Sequence, residues 1–123
     1  MKKARRQTTP KRGDLWIVNF DPTIGSEIRK TRPALVLQND VGNSFSAVTI
    51  IAALSSHDGG VVYPTEVPIE PPEGGLEKRS VVLLNQIRTV DKQRLIARIG
   101  TVTSHTMRAV ERALLISLGL IDM

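Results

Sequence analysis

The chain of 123 residues contains no cysteine, few aromatic residues and only two histidines, His57 and His105. The absence of cysteine excludes disulfides and thiolate metal sites. The two histidines are far apart in the sequence, and no group of ligand residues has the spacing of a metal site. The sequence therefore predicts neither a metal nor another cofactor. A site formed by carboxylates that meet in the fold, such as Glu27 and Asp14, stays open as an alternative.

Long apolar runs are also missing. No run approaches the roughly 20 residues of a membrane span, and the N-terminus lacks the apolar core of a signal peptide. Hydrophobic residues nevertheless make up 41% of the chain and charged residues 24%, which is a globular balance. A chain of 13.5 kDa fits one domain. We therefore expect a single, soluble, cytoplasmic domain with no membrane partner.

The charge of the chain is basic but unevenly placed. Lys and Arg number 17 against 12 Asp and Glu, which gives a formal net charge of +5 and favours polyanionic partners. Much of the excess lies in the first dozen residues, as Lys2, Lys3, Arg5, Arg6, Lys11 and Arg12. Residues 1–12 are polar and lack periodicity, which predicts a flexible basic arm before a domain over residues 13–123. A solvated tail and an RNA-binding arm both explain its charge.

The remaining pattern predicts short strands followed by one helix. The strands are expected over residues 14–20, 34–38, 48–54, 63–70, 80–84 and 96–102. Pro64 and Pro68 place the fourth of these at an edge, because proline cannot donate a ladder hydrogen bond. Residues 39–43 are expected to form a turn, and Thr89 is expected to cap a short helical turn over residues 90–95.

The C-terminal helix has a predicted start, face and end. Thr103 is its expected N-cap, and Gly119 is expected to end it. One face is expected to pack on the sheet through residues spaced three and four apart, Met107, Val110, Leu114 and Leu118. Several strands and one terminal helix predict a mainly β fold, a small and strongly bent sheet or barrel with the helix packed on it.

Four sequence strings together resemble a known family. They are RGDLWIVNFDPTIGSE, TRPALVLQND, QIRTVDKQRL and ALLISLGL. In this order and at these separations they are similar to the MazF/PemK family of toxins from toxin–antitoxin modules. The resemblance implies a small SH3-like β-barrel of the CcdB/PemK-like type with a C-terminal α-helix. It also implies a homodimer, sequence-specific cleavage of single-stranded RNA such as mRNA, and neutralisation by a MazE-like antitoxin, with DNA contacted only through the antitoxin complex.

RNA cleavage of this kind needs no metal. The 2′-hydroxyl of RNA is a built-in nucleophile, so an enzyme has to align it, move two protons and stabilise the charge on phosphorus. The resulting ends are a 2′,3′-cyclic phosphate and a 5′-hydroxyl. We therefore expect a metal-independent endoribonuclease.

Three residues are the candidate catalytic groups. The guanidinium of Arg32 is always charged and can grip a phosphate through two hydrogen bonds, and Pro33 restrains the backbone before it. By resemblance, Ser55 stands where related toxins often carry a catalytic threonine, and Ser56 is the alternative after a shift of one residue. Glu27 is the candidate base on the 2′-hydroxyl, or a group that reads a base. An inert surface role stays open for each of them.

Other residues are candidate RNA contacts by the same resemblance. Gly25, Ser26, Arg29 and Lys30 belong to a loop similar to the family's substrate-covering loop, and Gln86 and Arg88 follow a buried strand. The chain departs from some members at Leu83 and Asn85, where those members carry an arginine and an acidic residue, so their acid–base scheme does not transfer. Thr89 is expected to be structural, and Trp16 and Phe20 to belong to the core.

Two other functions stay open at this stage. The first is a non-hydrolytic toxin of the CcdB type, which shares the fold by resemblance and poisons DNA gyrase by binding it. The Arg32-Pro33 pair favours the nuclease over this alternative. The second is a non-catalytic nucleic-acid-binding module, which only the basic charge supports.

Overall fold

The computed structural model describes residues 9–28 and 30–123. Arg29, a predicted RNA contact, and the first eight residues of the predicted arm lie outside the described residues. The strands are β1 (Asp14–Asn19), β2 (Thr31–Val36), β3 (Val48–Ser56), β4 (Glu66–Ile69), β5 (Ser80–Asp91) and β6 (Leu95–Thr101). The helices are α1 (Asp40–Phe45) and α2 (Ser104–Ser117), and 3₁₀ turns cover Glu73–Gly75 and Lys92–Arg94. Neither α1 nor α2 is long and apolar enough to cross a membrane, and no other described helix is.

All six strands belong to one antiparallel sheet in the order β4-β5-β3-β2-β1-β6. The predicted mainly β fold with a C-terminal helix is confirmed. In this order β4 and β6 are the ends of an open sheet. The predicted edge strand is confirmed as β4, which is short and contains Pro68. A proline is tolerated there because one side of an edge strand needs no ladder hydrogen bonds.

The core lies on both faces of the sheet. Successive side chains of a strand point to opposite faces, so Leu15 and Trp16 of β1 enter different apolar clusters. The Leu15 cluster is closed by α2, through Val110 among others. The Trp16 cluster also contains Phe20, which follows β1. All its other buried members come from the strands, so the sheet itself curves around this cluster. The prediction that Trp16 and Phe20 are core residues is confirmed, because they are only 3% and 0% exposed.

Residues 39–43 form more than the predicted turn. Asn39 caps the six-residue helix α1 by accepting a hydrogen bond from the Gly42 amide at 2.8 Å. Asn43 is fully buried on this helix, where its side chain accepts from the Thr49 hydroxyl at 2.8 Å and donates to the Gln38 carbonyl at 2.9 Å. Glycine and asparagine have low helix propensity, so the sequence pattern indicated a turn. The cap and the tertiary hydrogen bonds outweigh that propensity.

The strand β5 also differs from the prediction. It continues from Ser80 to Asp91, so Thr89 pairs with Ile50 of β3 and caps no helical turn. Asp91 is the actual cap: its carboxylate accepts from the Gln93 amide at 2.8 Å at the start of a 3₁₀ turn. The long pairing with β3 extends β5 beyond the apolar residues that predicted its end.

The ends of α2 are confirmed and its buried face needs one correction. The Thr103 hydroxyl accepts from the Thr106 amide at 3.1 Å, and Gly119 ends the helix with φ +73°. Met107 and Val110 are buried, as predicted, but Leu118 is 53% exposed. Leu118 is the C-cap residue, where the helix has already left the sheet. Ala113 completes the buried face.

The last residues of the predicted arm contact the domain. Pro10 is buried, and the Lys11 amide donates to the Asp14 carboxylate at 2.9 Å. The Arg12 amide donates to Asp40 at 2.8 Å, and the Arg12 guanidinium pairs with Glu111 of α2 at 2.9 Å. The hydrogen bond from the Arg12 amide, with one from Asn43, holds the pKa of Asp40 below its usual range. These contacts attach residues 10–12 to the domain.

Gly100 allows the first 3₁₀ turn to pack directly on β6. A Cβ atom at Gly100 would lie 2.4 Å from the carbonyl of Gly74, closer than any side chain permits. Glu73 joins the same turn to the start of α2. Its carboxylate accepts from the Thr106 hydroxyl at 2.6 Å, the Thr103 amide at 3.0 Å and the Thr103 hydroxyl at 3.3 Å.

These hydrogen bonds predict a pH-dependent contribution of Glu73 to stability. Partial burial acts to raise the pKa of Glu73, but the hydrogen bonds from Thr106 and Thr103 outweigh it, and the pKa lies below 4.5. A lowered pKa stabilises the fold above the pKa of the unfolded chain, and this stabilisation is lost as the pH falls through the folded value. We expect Glu73→Gln to lower the free energy of unfolding by about 1–2 kcal/mol at neutral pH.

Urea denaturation of both proteins at neutral pH and at about pH 3 checks this expectation. The difference between wild type and Glu73→Gln should shrink in acid. Glu77→Gln changes the same charge at an exposed carboxylate nearby and is the control. A difference that stays constant with pH would show that the ionised form of Glu73 does not stabilise the fold.

Candidate active site

Strand pairing brings Arg32 and Ser55 together. In the register of β2 with β3, Ala34 lies opposite Ala53. Arg32 precedes Ala34 by two residues and Ser55 follows Ala53 by two, just beyond the last paired residues of this ladder. Because the strands are antiparallel, both residues lie at the same end of the strand pair. Two residues that the sequence separates by a loop, a helix and a strand therefore meet at one end of the sheet, where both line the same cleft.

Both residues line one open cleft of about 390 Å³. Its apolar wall includes Ile17, Leu54 and Ile99, and its polar wall includes Arg32, Ser55 and Lys78. The Ser55 hydroxyl donates a long hydrogen bond to the Ser56 carbonyl at 3.5 Å. A bond of that length is weak and easily exchanged for a bond to a ligand. The cleft thus combines a permanent cation, a hydroxyl and an apolar surface.

The other predicted site residues surround a different recess. Ser26, Glu27, Gln86 and Arg88 line a groove of about 530 Å³, which we call the loop groove. Gly25 and Lys30 are exposed on the loop between β1 and β2. The structure thus divides the predicted site, because Glu27 does not line the cleft that holds Arg32 and Ser55.

A large bulge in β5 forms the loop groove. Ala52 of β3 pairs with Ile87, whereas Leu54 pairs with Val82. Four residues of β5, 83–86, therefore face the single residue Ala53 on β3. A bulge of this kind breaks the ladder and redirects side chains. It brings Gln86 beside the loop between β1 and β2.

Gln86 holds that loop through two hydrogen bonds. Its carbonyl oxygen accepts from the Ile28 amide at 3.2 Å, and its amide donates to the Ser26 carbonyl at 3.5 Å. Glu27 is bonded within the same loop, because its carboxylate accepts from the Ile24 amide at 2.6 Å. Both side chains therefore stabilise the loop in the structure, and each was predicted to act on RNA.

Two arginines hold the base of the loop. Arg88 donates to the Phe20 carbonyl at 3.3 Å, and its guanidinium lies 5.7 Å from the centre of the Phe20 ring. Arg94 donates to the Asn19 carbonyl at 3.0 Å and to the Asp21 carbonyl. Lys30 closes the loop from the other end, where its amide donates to the Asp21 carboxylate at 2.9 Å and its φ is +69°.

Among the described residues, no three His, Asp or Glu side chains come together as metal ligands. Asp14, which the sequence allowed as a partner of Glu27, is only 2% exposed. Its carboxylate instead pairs with Arg98 at 3.2 Å and accepts from the Thr101 hydroxyl at 3.2 Å. Glu27 and Asp14 thus have separate partners.

The sequence reasoning missed Lys78. This residue lines the cleft with Arg32 and Ser55 and is exposed. Its only local signal is the basic pair Lys78-Arg79 just before a buried strand. Such a pair is usually a solvated surface, so the pattern alone did not distinguish it from the other basic residues.

Comparison with known proteins shows a consistent relationship over the folded part of the chain. A family model for the PemK-like, MazF-like toxin of type II toxin–antitoxin systems matches residues 11–118. The chain is 46% identical over 112 residues to Endoribonuclease EndoA of Bacillus subtilis (strain 168), covering 91% of this chain and 97% of that protein. Solved structures with a similar fold include MazF (Form-I) from Deinococcus radiodurans, at a TM-score of 0.79 and 29% identity, covering 92% of this chain and 99% of that one. MazE-MazF (Form-II) from the same organism has a TM-score of 0.73 and 28% identity, covering 94% and 100%.

The contacts of Gln86 predict that it restrains the loop. Gln86→Ala removes the acceptor of the Ile28 amide, and the loss of one such bond is worth about 1 kcal/mol, or about fivefold in local opening. We expect hydrogen exchange at the Ile28 amide to accelerate by about that factor. Asn85→Ala, at the exposed neighbouring position on the bulge, is the control. Unchanged exchange in Gln86→Ala would mean that the loop is held by other contacts.

Proposed function

The chain belongs to the family of PemK-like, MazF-like toxins of type II toxin–antitoxin systems, and from this membership we propose that it is an endoribonuclease that cleaves single-stranded RNA at the cleft of Arg32 and Ser55. The resemblance noted in the sequence is thereby confirmed at the level of the family. The observation that supports the site is that a guanidinium, of Arg32, and a hydroxyl, of Ser55, line one cleft. A guanidinium and a hydroxyl can both bind one phosphate.

The proposed reaction uses the 2′-hydroxyl of the RNA. The hydroxyl loses its proton to a base, its oxygen attacks the neighbouring phosphorus, the bond from phosphorus to the 5′-oxygen breaks, and the 5′-oxygen takes up a proton from an acid. The products are a 2′,3′-cyclic phosphate and a 5′-hydroxyl, and no metal ion takes part. Arg32 stabilises the negative charge that grows on the phosphate oxygens, and Ser55 donates a hydrogen bond to one of them. The apolar wall of the cleft lowers the local dielectric on one side and so strengthens both interactions.

The loop between β1 and β2 contributes through its position. We assign Gly25, Ser26, Arg29 and Lys30 to RNA contact as parts of this loop. Gln86 and Arg88 support RNA binding chiefly by holding the loop. Glu27 lines the loop groove and not the cleft. Its proposed role as the base therefore requires the loop to move it towards Arg32.

The assembly is part of the proposal. Related MazF proteins have been solved with MazE, and we propose that a MazE-like antitoxin neutralises this toxin. We further propose that the toxin is a cytoplasmic homodimer that contacts DNA only through the antitoxin complex. The alternative of a CcdB-type gyrase poison loses its support, because the family model and the relative named as an endoribonuclease both favour the nuclease.

The chemical ends of the cleaved RNA test the proposed reaction. Purified protein incubated with a long single-stranded RNA in EDTA should cleave it and leave 2′,3′-cyclic phosphate and 5′-hydroxyl ends, because the RNA supplies the nucleophile. Mass spectrometry of the fragments identifies the ends. Fragments with 3′-hydroxyl and 5′-phosphate ends, or cleavage that requires magnesium, would contradict this mechanism.

Arg32→Ala should lower the turnover number by about 10²-fold or more, the usual loss when one preorganised charge-stabilising donor is removed. Arg32→Lys should recover only part of it, because lysine keeps the charge but lacks the planar fork. Single-turnover cleavage at saturating RNA measures the effect, with circular dichroism to confirm folding. Turnover near that of wild type in a folded Arg32→Ala variant would remove Arg32 from the reaction.

Ser55→Ala should slow cleavage by up to about 10²-fold through loss of one phosphate donor. Ser55→Thr should be tolerated, because threonine keeps the hydroxyl. Ser56→Ala is the matched control, since Ser56 lines the same cleft one residue later. Greater sensitivity at Ser56 than at Ser55 would move the assignment by one residue.

A further inference from the structure

A second polar recess adjoins the cleft on the side of Lys78. It has a volume of about 450 Å³ and is lined by Ser56, His57, Asp58, Lys78 and Arg79. We call it the cationic notch. Ser56 and Lys78 line both the notch and the cleft. The two recesses therefore share a wall, whereas the loop groove shares no lining residue with the cleft.

The His57 side chain stabilises the loop that lines the notch. Its Nδ1 atom accepts from the Gly59 amide at 3.2 Å, and its Nε2 atom lies 3.2 Å from the Val61 carbonyl. The His57 amide also donates to the Arg79 carbonyl at 3.1 Å, which ties the end of β3 to the residue before β5. Both ring nitrogens are thus used to shape the loop.

The charged side chains of the notch differ in how strongly neighbouring groups restrain them. Arg79 is oriented by Glu70, whose carboxylate lies 2.5 Å from the Arg79 Nε atom. Asp58 accepts from the Gly60 amide at 3.3 Å and so belongs to the loop. Lys78 is exposed and stands at the junction of notch and cleft. An ammonium group on a flexible stem suits a single phosphate as a point charge.

We propose that the cationic notch binds the phosphate next to the cleaved one on the RNA strand, with Lys78 as its main cation. The inference rests on the proposed function, because it takes the cleaved phosphate to lie beside Arg32 and Ser55. A continuous strand that leaves the cleft has to carry its next phosphate past one of the walls. The wall of Ser56 and Lys78 leads into a recess lined by two cations, Lys78 and the Glu70-paired Arg79, and one anion, Asp58. Binding of RNA gains from each phosphate that is neutralised there.

The test removes the charge from one side at a time. The cut site is first mapped in a long RNA, and a short RNA with that site is made uncleavable by a 2′-deoxy sugar at the attacking position. Each phosphate that flanks the cut is then replaced singly by an uncharged methylphosphonate. Binding of the three RNAs is measured by fluorescence anisotropy over a range of salt, for wild type and Lys78→Gln. Arg108→Gln, at an exposed position on α2, changes the same charge and is the control.

Lys78→Gln should weaken binding of the unmodified RNA by about fivefold at about 0.1 M salt and reduce the slope of log K against log salt by about 0.7, the value for one single-strand contact. At one flanking position, and only one, the methylphosphonate should abolish this difference between the two proteins. Such non-additivity is the signature of a direct interaction. Arg108→Gln should leave the salt slope as in wild type, and each methylphosphonate should affect its binding as it affects that of wild type.

Two failures are distinguishable. If wild type cleaves the RNA but the effects of Lys78→Gln and of the methylphosphonates add at both positions, the notch does not bind a flanking phosphate and this inference is overturned alone. If wild type cleaves no RNA, no cut site is found, and the proposed function fails together with the inference before any binding is measured.

Discussion

The antiparallel pairing of β3 with its two neighbours is the constraint on which the rest of the structure depends. Towards β2 the register is regular, and the cleft that Arg32 and Ser55 line lies at the end of this pairing. Towards β5 it is interrupted, so that four residues face Ala53 and Gln86 reaches the loop between β1 and β2. Residues 51–54 of β3 are buried alternately, with Ala52 and Leu54 in the Leu15 cluster and Ile51 and Ala53 in the Trp16 cluster. A slip of one residue would exchange the two faces, so the core maintains the register and the register maintains the cleft.

Four of the arginines have a structural role. Arg88 and Arg94 hold the loop by its backbone carbonyls, Arg98 pairs with the buried Asp14, and Arg12 joins the start of the domain to α2. The net charge of +5 therefore does not show which cations a polyanion can reach. The cleft and the cationic notch gain their electrostatic character from where a few cations are placed. Lys78, which both recesses share, matters more to this surface than the total charge indicates.

Local patterns predicted the parts of the fold that local physics decides. The β-branched and aromatic strands, the proline-containing edge strand, the Thr103 cap and the Gly119 stop all appear close to their expected places. Each depends on residues within one turn or one strand. Family membership was also visible in the sequence, because four short strings resemble the family in the same order and at similar separations. The candidate catalytic residues Arg32 and Ser55 depended on that resemblance, and the structure adds that both line one cleft.

The sequence by itself determined the class of fold, the number and order of most elements, the core positions of Trp16 and Phe20, and the family. Only the tertiary structure decided the helix α1, the length of β5, and the division of the predicted site residues between the cleft and the loop groove. These features depend on hydrogen bonds and pairings between distant segments, such as those of Asn43 and Gln86. A polar side chain has the same local pattern whether it binds a ligand or a backbone amide, so its role is set by the partner that the fold places beside it.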